Sequence, residues 1–388
     1  MLMRLSSAEV VVGGQRYHQF VSLTVERSKE NLTASGTFIL SWPGAEQFNA
    51  TSPPAQEVVD GATIEVYLDG QKVCTGRIDS RTSQGSPNNY TLSLAFRGKA
   101  AAIVDSTADH ESGQENKKTP ADIIKKLMEG YESQLVDRSN ESRQLERFVI
   151  AEGETVERSI RRAAREYGLL ITEDENGDLV LNSRESQQQY GSPLILGQDF
   201  TDWSATRDIG PRYSKVTVKG DSIATDERYG KDAEVIAAEV IDQYVQFKKE
   251  LRLFAEEDQD AESLKARAQM EANRRAGKGT SVTMTMSSWS DKWSGQLWTP
   301  GTIHHVSIPV DQIDDDLQIQ SVSFELDSTN ATAKITLVMP ETFQSQGNRS
   351  GIRSGGSIDK GKAAVRTSGG GGKSVYDVAI TNPIVRNS

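Results

Sequence analysis

The chain is poor in the residues that most often carry chemistry. It has one cysteine, Cys74, in 388 residues. A single thiol excludes an internal disulfide framework and any CxxC metal or redox motif. Its four histidines, His18, His110, His304 and His305, are too few and too scattered for a histidine-rich metal centre. No apolar run approaches the ~18 residues of a membrane span. The opening MLMRLSSAEV has no long apolar stretch followed by a small-residue cleavage site, so no secretory leader is expected. Bases are outnumbered: 44 Lys and Arg face 55 Asp and Glu, for a net charge of -11. Such a chain repels nucleic-acid phosphates unless its charges are segregated. The profile is that of a soluble, acidic protein folded in a reducing compartment. Its length predicts about two or three domains, with cores large enough to need no disulfide or metal.

The charges are in fact segregated. From Ser345 to Ser388 there are seven bases and two acids, while the preceding body holds 37 bases and 53 acids. The same tail carries nine of the 32 glycines, four of them consecutive from Gly369 to Gly372. A segment of that composition buries too little apolar surface to offset its ordering entropy. Residues 345–374 are therefore expected to be a flexible linker. The linker leads into a short apolar run containing Val375, Tyr376, Val378 and Ile380. These four are the candidate partner-docking residues: an apolar end on a tether suits either docking on another protein or adding a strand to this chain's own fold.

Residues 8–97 read as strands. Val21, Leu23 and Val25 alternate with polar neighbours, and TIEVYLDGQKVCTGRIDS places two alternating runs around Asp69-Gly70, a type I′ hairpin signal. After Gly98 the pattern changes. Thr119-Pro120-Ala121-Asp122 opens a helix with a cap, a first-position proline and an answering carboxylate. A second helix is expected from Thr155 to Tyr167, with Gly168 ending it and a hairpin turning at Asn176-Gly177. From Pro193 onward strands return, interrupted by a helix over 260–276. A β-rich unit thus occurs twice, separated by a mixed unit, without residue-level similarity between the two.

Motifs for chemistry are weak. Gly356 to Lys362 fits GxxxxGK, but Ala363 stands where a magnesium-binding hydroxyl belongs, and TSGGGGKS lacks the leading glycine. Both read as linker. His304 and His305 are neighbours on an expected strand, so they point to opposite faces and cannot share one metal. His110-Glu111 has no accompanying nucleophile motif. Asp314, Asp315 and Asp316 lack the alternation and glycine of a calcium loop and read as a solvated turn. Asp174, Asn176 and Asp178 are accounted for by the hairpin turn, and Cys74 by a buried strand position.

The stretch from Gly98 to Leu181 resembles the middle of the Mu-like bacteriophage tail baseplate hub proteins. RGKAAAIVDSTA, the TPADIIKKLM helix and FVIAEGETVERSIRRAAREYGLLITEDENGDLVL carry the resemblance. ATRDIGPRYSKVTVKGDS, AESLKARAQMEANRRAGKGTSVTMTMSSW and LWTPGTIHHVSIPVDQIDDDLQIQSVSFEL extend it, in order, over nearly all of 1–344. The family is similar to the base of type VI secretion spikes. The resemblance implies a β-rich α+β fold with two small antiparallel, tube-like β-barrel domains and an inserted α+β domain. The corresponding division is 1–98, 99–184 and 185–344, with a helix inserted in the last, followed by the flexible basic tail 345–388. It also implies a non-enzymatic homotrimer in the virion tail baseplate, assembled in the host cytoplasm, with no metal and no cofactor. The partners implied are the tail spike, the tail tube and other baseplate proteins. Three chains would make a six-unit ring around a channel that DNA crosses without specific binding.

A second resemblance is narrower. Phe148, Gly153, Thr155, Ile160, Tyr167 and Gly168 are placed as in the first half of a LysM module, which binds peptidoglycan. A LysM module continues into a second helix, whereas here a hairpin follows. A cell-wall hydrolase is a third class, and no acid–base or metal set for it is visible.

Overall fold

Alternation of apolar and polar side chains drives two distant stretches of the chain into strands that share one sheet. The computed structural model describes residues 7–43, 58–86, 88–109, 113–167, 169–183, 189–220, 236–254 and 261–343, all within one compact unit ending at Arg353. The first stretch comprises β1 (Ala8–Val12), β2 (Gln15–Tyr17), β3 (Ser22–Ser28), β4 (Ser35–Pro43), β5 (Thr63–Leu68), β6 (Gln71–Ser86) and β7 (Asn89–Gly98). Asp69 and Gly70 take φ of 49° and 78°, the two positive values a type I′ turn demands. Leu23 and Val25 are buried as their alternation predicts, but Val21 precedes β3 and is 44% exposed.

The middle stretch is α1 (Ala101–Asp105), β8 (Gln114–Lys118), α2 (Pro120–Leu127), β9 (Leu135–Arg138), β10 (Leu145–Val149), α3 (Val156–Glu166), β11 (Leu169–Glu173) and β12 (Leu179–Ser183). The expected cap is made, the Thr119 hydroxyl accepting the Asp122 N–H at 3.2 Å, and the structure adds a second, the Thr155 hydroxyl accepting the Arg158 N–H at 3.2 Å. Ile123, Ile124, Ile160 and Ala163 meet Leu179 and Leu181 in a core separate from that of the large sheet. Short β8, β9 and β10 are additions to the sequence reading. β8, QENKK, is polar throughout, and β9 and β10, LVDR and LERFV, are too short to show an alternation.

The last stretch holds β13 (Leu194–Ile195), β14 (Trp203–Arg207), β15 (Lys215–Gly220), β16 (Ile236–Ile241), β17 (Glu250–Phe254), α4 (Ala261–Gly277), β18 (Thr280–Met286), β19 (Ile303–Ile308), β20 (Ile313–Leu326) and β21 (Ala331–Val338). β16, β15 and β17 form their own sheet, with β15 and β17 parallel, and α4 lays Leu264 and Ala268 on Val218. The acidic run is not a turn: Asp314, Asp315 and Asp316 lie within β20, opposite Ser307, Val306 and His305. Their alternating exposure lets the strand continue between buried Ile313 and Leu317.

The two β-rich stretches repeat one connectivity. The first runs β3-β4-β7-β6-β5 and the second β14-β18-β21-β20-β19, so strands one to five of each unit occupy the same places. Even the irregularities coincide, with bulges between Ile78 and Ser80 in β6 and between Ile319 and Ser321 in β20. The units are joined where β20 pairs with β3, from Ser321 opposite Ser28 to Leu326 opposite Leu23. The result is a thirteen-stranded sheet that, among the described residues, runs as an open path from β14 to β2. Phe324 and Val25 are paired across the join and buried in the common core. Truncating Phe324 to Ala is expected to cost about 3–5 kcal/mol, measured by chemical denaturation.

Candidate functional site

The residues singled out for chemistry do not converge. Val375, Tyr376, Val378 and Ile380, His110 and Glu111, and both glycine-rich lysine motifs lie outside the described residues. His304 and His305 face opposite sides, as expected. His304 is buried, its Nδ1 lies 2.8 Å from the Ser192 carbonyl, and burial lowers its pKa. His305 sits between Asp316 and Asp314, at 3.1 and 3.2 Å, and hydrogen bonding to Asp316 raises its pKa. Asp174 closes the β11–β12 turn by accepting the N–H groups of Asn176 and Asp178 at 2.8 and 2.9 Å. Cys74 is buried, and that burial pushes its thiol up to about 12. Among the described residues, no group of three or more His, Cys, Asp or Glu is gathered to hold a metal ion, and no helix is long and apolar enough to cross a membrane.

What the structure does build is a set of rigid junctions. The principal one is Glu173, at the end of β11. Its carboxylate accepts the Ala34 N–H at 2.6 Å and the Ala100 N–H at 3.1 Å, tying the middle stretch to the first β-rich unit. Gly98 makes room for it, because a Cβ there would stand 2.2 Å from Oε1. Arg27 donates to the Glu173 carbonyl at 3.2 Å, and Thr75 to that of Glu175 at 3.0 Å. Burial raises the Glu173 pKa to about 7, against the pull of the two backbone donors and Arg27. Sequence reasoning missed Glu173 because LLITE reads as a strand passing into a solvated turn.

Beside this junction lies a polar cleft of about 450 Å³, lined by β11 and β12 together with the end of β3, the segment just before β19 and Gln318 of β20. Arg27, Lys29 and Arg138 are among its lining residues. Asn182 and Gln318 also line it. Nearby, Asp291 organises the loop before β19. It accepts N–H groups from Ser192, Trp293 and Ser294 at 2.8, 2.9 and 2.7 Å. Burial works to raise its pKa, but these bonds prevail and bring it down to about 2. The loop presents Trp293, 55% exposed. Two buried ion pairs stiffen the periphery: Arg162 with Glu154, and Arg212 with Asp242 through two bonds of 2.8 and 2.9 Å. These are arrangements for holding surfaces in place. In the middle stretch, the β11–β12 hairpin follows α3 where a LysM module has its second helix.

Comparison with known proteins gives consistent matches along the chain. Residues 7–98 match the N-terminal domain of the Mu phage baseplate assembly protein GpP-like family. Residues 100–183 match the second domain of the baseplate hub protein gp44-like family, and residues 260–346 the fourth domain of Mu phage baseplate assembly protein GpP. The baseplate hub protein gp44 of Escherichia phage Mu is 27% identical over 365 residues, covering 89% of this chain and 92% of its own length. The 43 kDa tail protein of prophage MuSo2 from Shewanella oneidensis superposes with a TM-score of 0.76 at 25% identity, covering 87% of this chain and 99% of that one. The fold extends to the E. coli c3393 protein, a type VI secretion component, with a TM-score of 0.51 at 11% identity over 89% of this chain and 77% of that one.

Because the folded-state pKa of Glu173 lies above its ordinary value of 4.5, the folded chain binds the extra proton between about 4.5 and 7. Stability is expected to fall as pH rises through that window. Urea titrations across it should show a steeper fall in the wild type than in Glu173→Gln, where only the contributions of other groups, such as His304 and His305, remain. Gly98→Ala should destabilise by about 1–3 kcal/mol in the wild type and by clearly less in a Glu173→Ala background, where the clash is gone.

Proposed function

The chain belongs to the Mu-like bacteriophage tail baseplate hub family, and on that premise we propose that it works by assembly, as a homotrimer joining the tail tube to the central spike. Its place is the virion tail baseplate, among other tail and baseplate proteins. The observation that carries the three-fold reading is the repeated five-strand unit. Two such units per chain, in residues 1–98 and 185–344, give six similar barrel-like units in a ring of three chains. Such a ring meets a six-fold tube on one face and a three-fold spike on the other, and closing it removes exposed sheet ends. The middle stretch, 99–184, stands outside this repeat and is held to it by Glu173.

Two further parts belong to the same reading. The body's excess of acids, 53 against 37 bases, suits a channel through which DNA passes without sticking. The basic tail 345–388 serves as a tether to a neighbouring component, with Val375, Tyr376, Val378 and Ile380 as its docking end. Among the described residues no group of three or more His, Cys, Asp or Glu is gathered as a metal-dependent hydrolase would need, and a hairpin follows α3 where a LysM module has its second helix.

Mass measurement in solution should give three times the 42.5 kDa of one chain, and assembly only at another multiple would overturn the three-fold reading. Deleting 345–388 should leave that mass ratio unchanged while weakening binding to one baseplate partner in a pull-down. A deletion variant that no longer trimerises would remove the tether.

A further inference from the structure

The internal repeat allows one end of the sheet to be read from its middle. Aligned at their bulges, residues 80–85 of β6 correspond to 321–326 of β20, because Ser80 follows the first bulge as Ser321 follows the second. Val25 and Ala205 correspond in turn. Val25 lies opposite Gly36, and Gly36 opposite Phe96; Ala205 lies opposite Val282, and Val282 opposite Leu337. Phe96 and Leu337 are equivalent, since they face Ile78 and Ile319 just before the bulges. By the same alignment Trp203 matches Leu23, and Arg207 matches Arg27.

Within the chain, residues 321–326 carry β3 on the side next to β19. The matching side of β6, residues 80–85, carries no strand among the described residues, and its side chains are exposed. β14 shows the complementary deficit. It pairs only with β18 among the described residues, and where Leu23 is 1% exposed its counterpart Trp203 is 36% exposed. The chain therefore contains one complete joint, β20 with β3, and both halves of a second that cannot close within the same repeat order.

We propose that β14 of one copy pairs antiparallel with residues 80–85 of β6 in a second copy of this chain, Ala205 opposite Ser83 and Ser204 opposite Gln84. The inference rests on the ring reading above and names the strands that close the ring. The backbone edges of β14 and of residues 80–85, which pair with no further strand among the described residues, would supply the hydrogen bonds. The register sets Arg207 opposite Arg81, two like charges. Each is already engaged in its own copy: Arg81 with the Val58 carbonyl at 2.8 Å and Asp60 at 3.4 Å, Arg207 with the Asp311 carbonyl at 2.9 Å.

Cysteine cross-linking of the full chain tests the register. Directly opposed antiparallel residues have Cα atoms about 4.5–5.5 Å apart, inside the disulfide range of about 4.4–6.8 Å. The double variants Ala205→Cys/Ser83→Cys and Ser204→Cys/Gln84→Cys are oxidised with diamide and run on non-reducing gels. At least one should give covalent dimers and trimers. The out-of-register variant Ala205→Cys/Ser80→Cys should give about tenfold less. Cys74 is buried, so wild type serves as the blank. Wild type that assembles while neither in-register variant exceeds the control overturns the pairing and leaves the ring reading standing. Wild type that never assembles overturns both.

Discussion

Six opposed positions between β20 and β3 hold the two β-rich halves of this chain together. The strands involved are separated by nearly the whole described sequence, so closing that joint is the long-range event on which the common core depends. Phe324 and Val25 at the join, with Phe38 and Phe96 behind them, form part of one continuous apolar cluster that runs through both repeats. Without the joint, each repeat would present a free edge and a half-covered face to water. The middle stretch and the α4 unit have cores of their own and attach to this frame from outside.

The attachment of the middle stretch combines an apolar contact, Leu32 of the first repeat buried in the middle core, with polar ones. Glu173 fixes the middle stretch by accepting two backbone N–H groups from the first repeat and its exit. Its carboxylate sits where only a glycine leaves space, so orientation is specified by sterics and hydrogen bonding together. The cost is a carboxyl group whose charged form is disfavoured near neutrality. Arg212 and Asp242, and Arg162 and Glu154, follow the same logic on smaller loops. Buried polar pairs of this kind add little net stability but penalise wrong arrangements.

Local features were legible in the sequence because they obey local rules. Thr119 caps a helix, Asp69-Gly70 and Asn176-Gly177 turn hairpins, and Leu264 and Ala268 share a helix face, each within a few residues of the signal that announces it. The repeat was visible only as recurring strand content. Its shared connectivity and coincident bulges are pairing facts, which periodicity does not encode. The acidic run at Asp314 misled for a related reason. Three acids in a row contradict strand propensity, and pairing with β19, with His305 between Asp314 and Asp316, helps to make the position tolerable. Of the candidate site, the opposed faces of His304 and His305 and the buried state of Cys74 were read correctly. Glu173 and Asp291 were not visible, since their roles depend on backbone donors remote from them in sequence, Ala34 and Ser192.

The solitary thiol has a consequence for the life of the particle. A virion leaves the reducing interior of its host and persists where oxidants are common. Exposed thiols in a baseplate would couple neighbouring particles or lock parts that must move. Cys74 is buried at the β5–β6 pairing, and its pKa of about 12 leaves only a minute thiolate fraction at neutral pH. Since thiol oxidation and disulfide exchange proceed through the thiolate, this burial shields Cys74 from both in an oxidising environment.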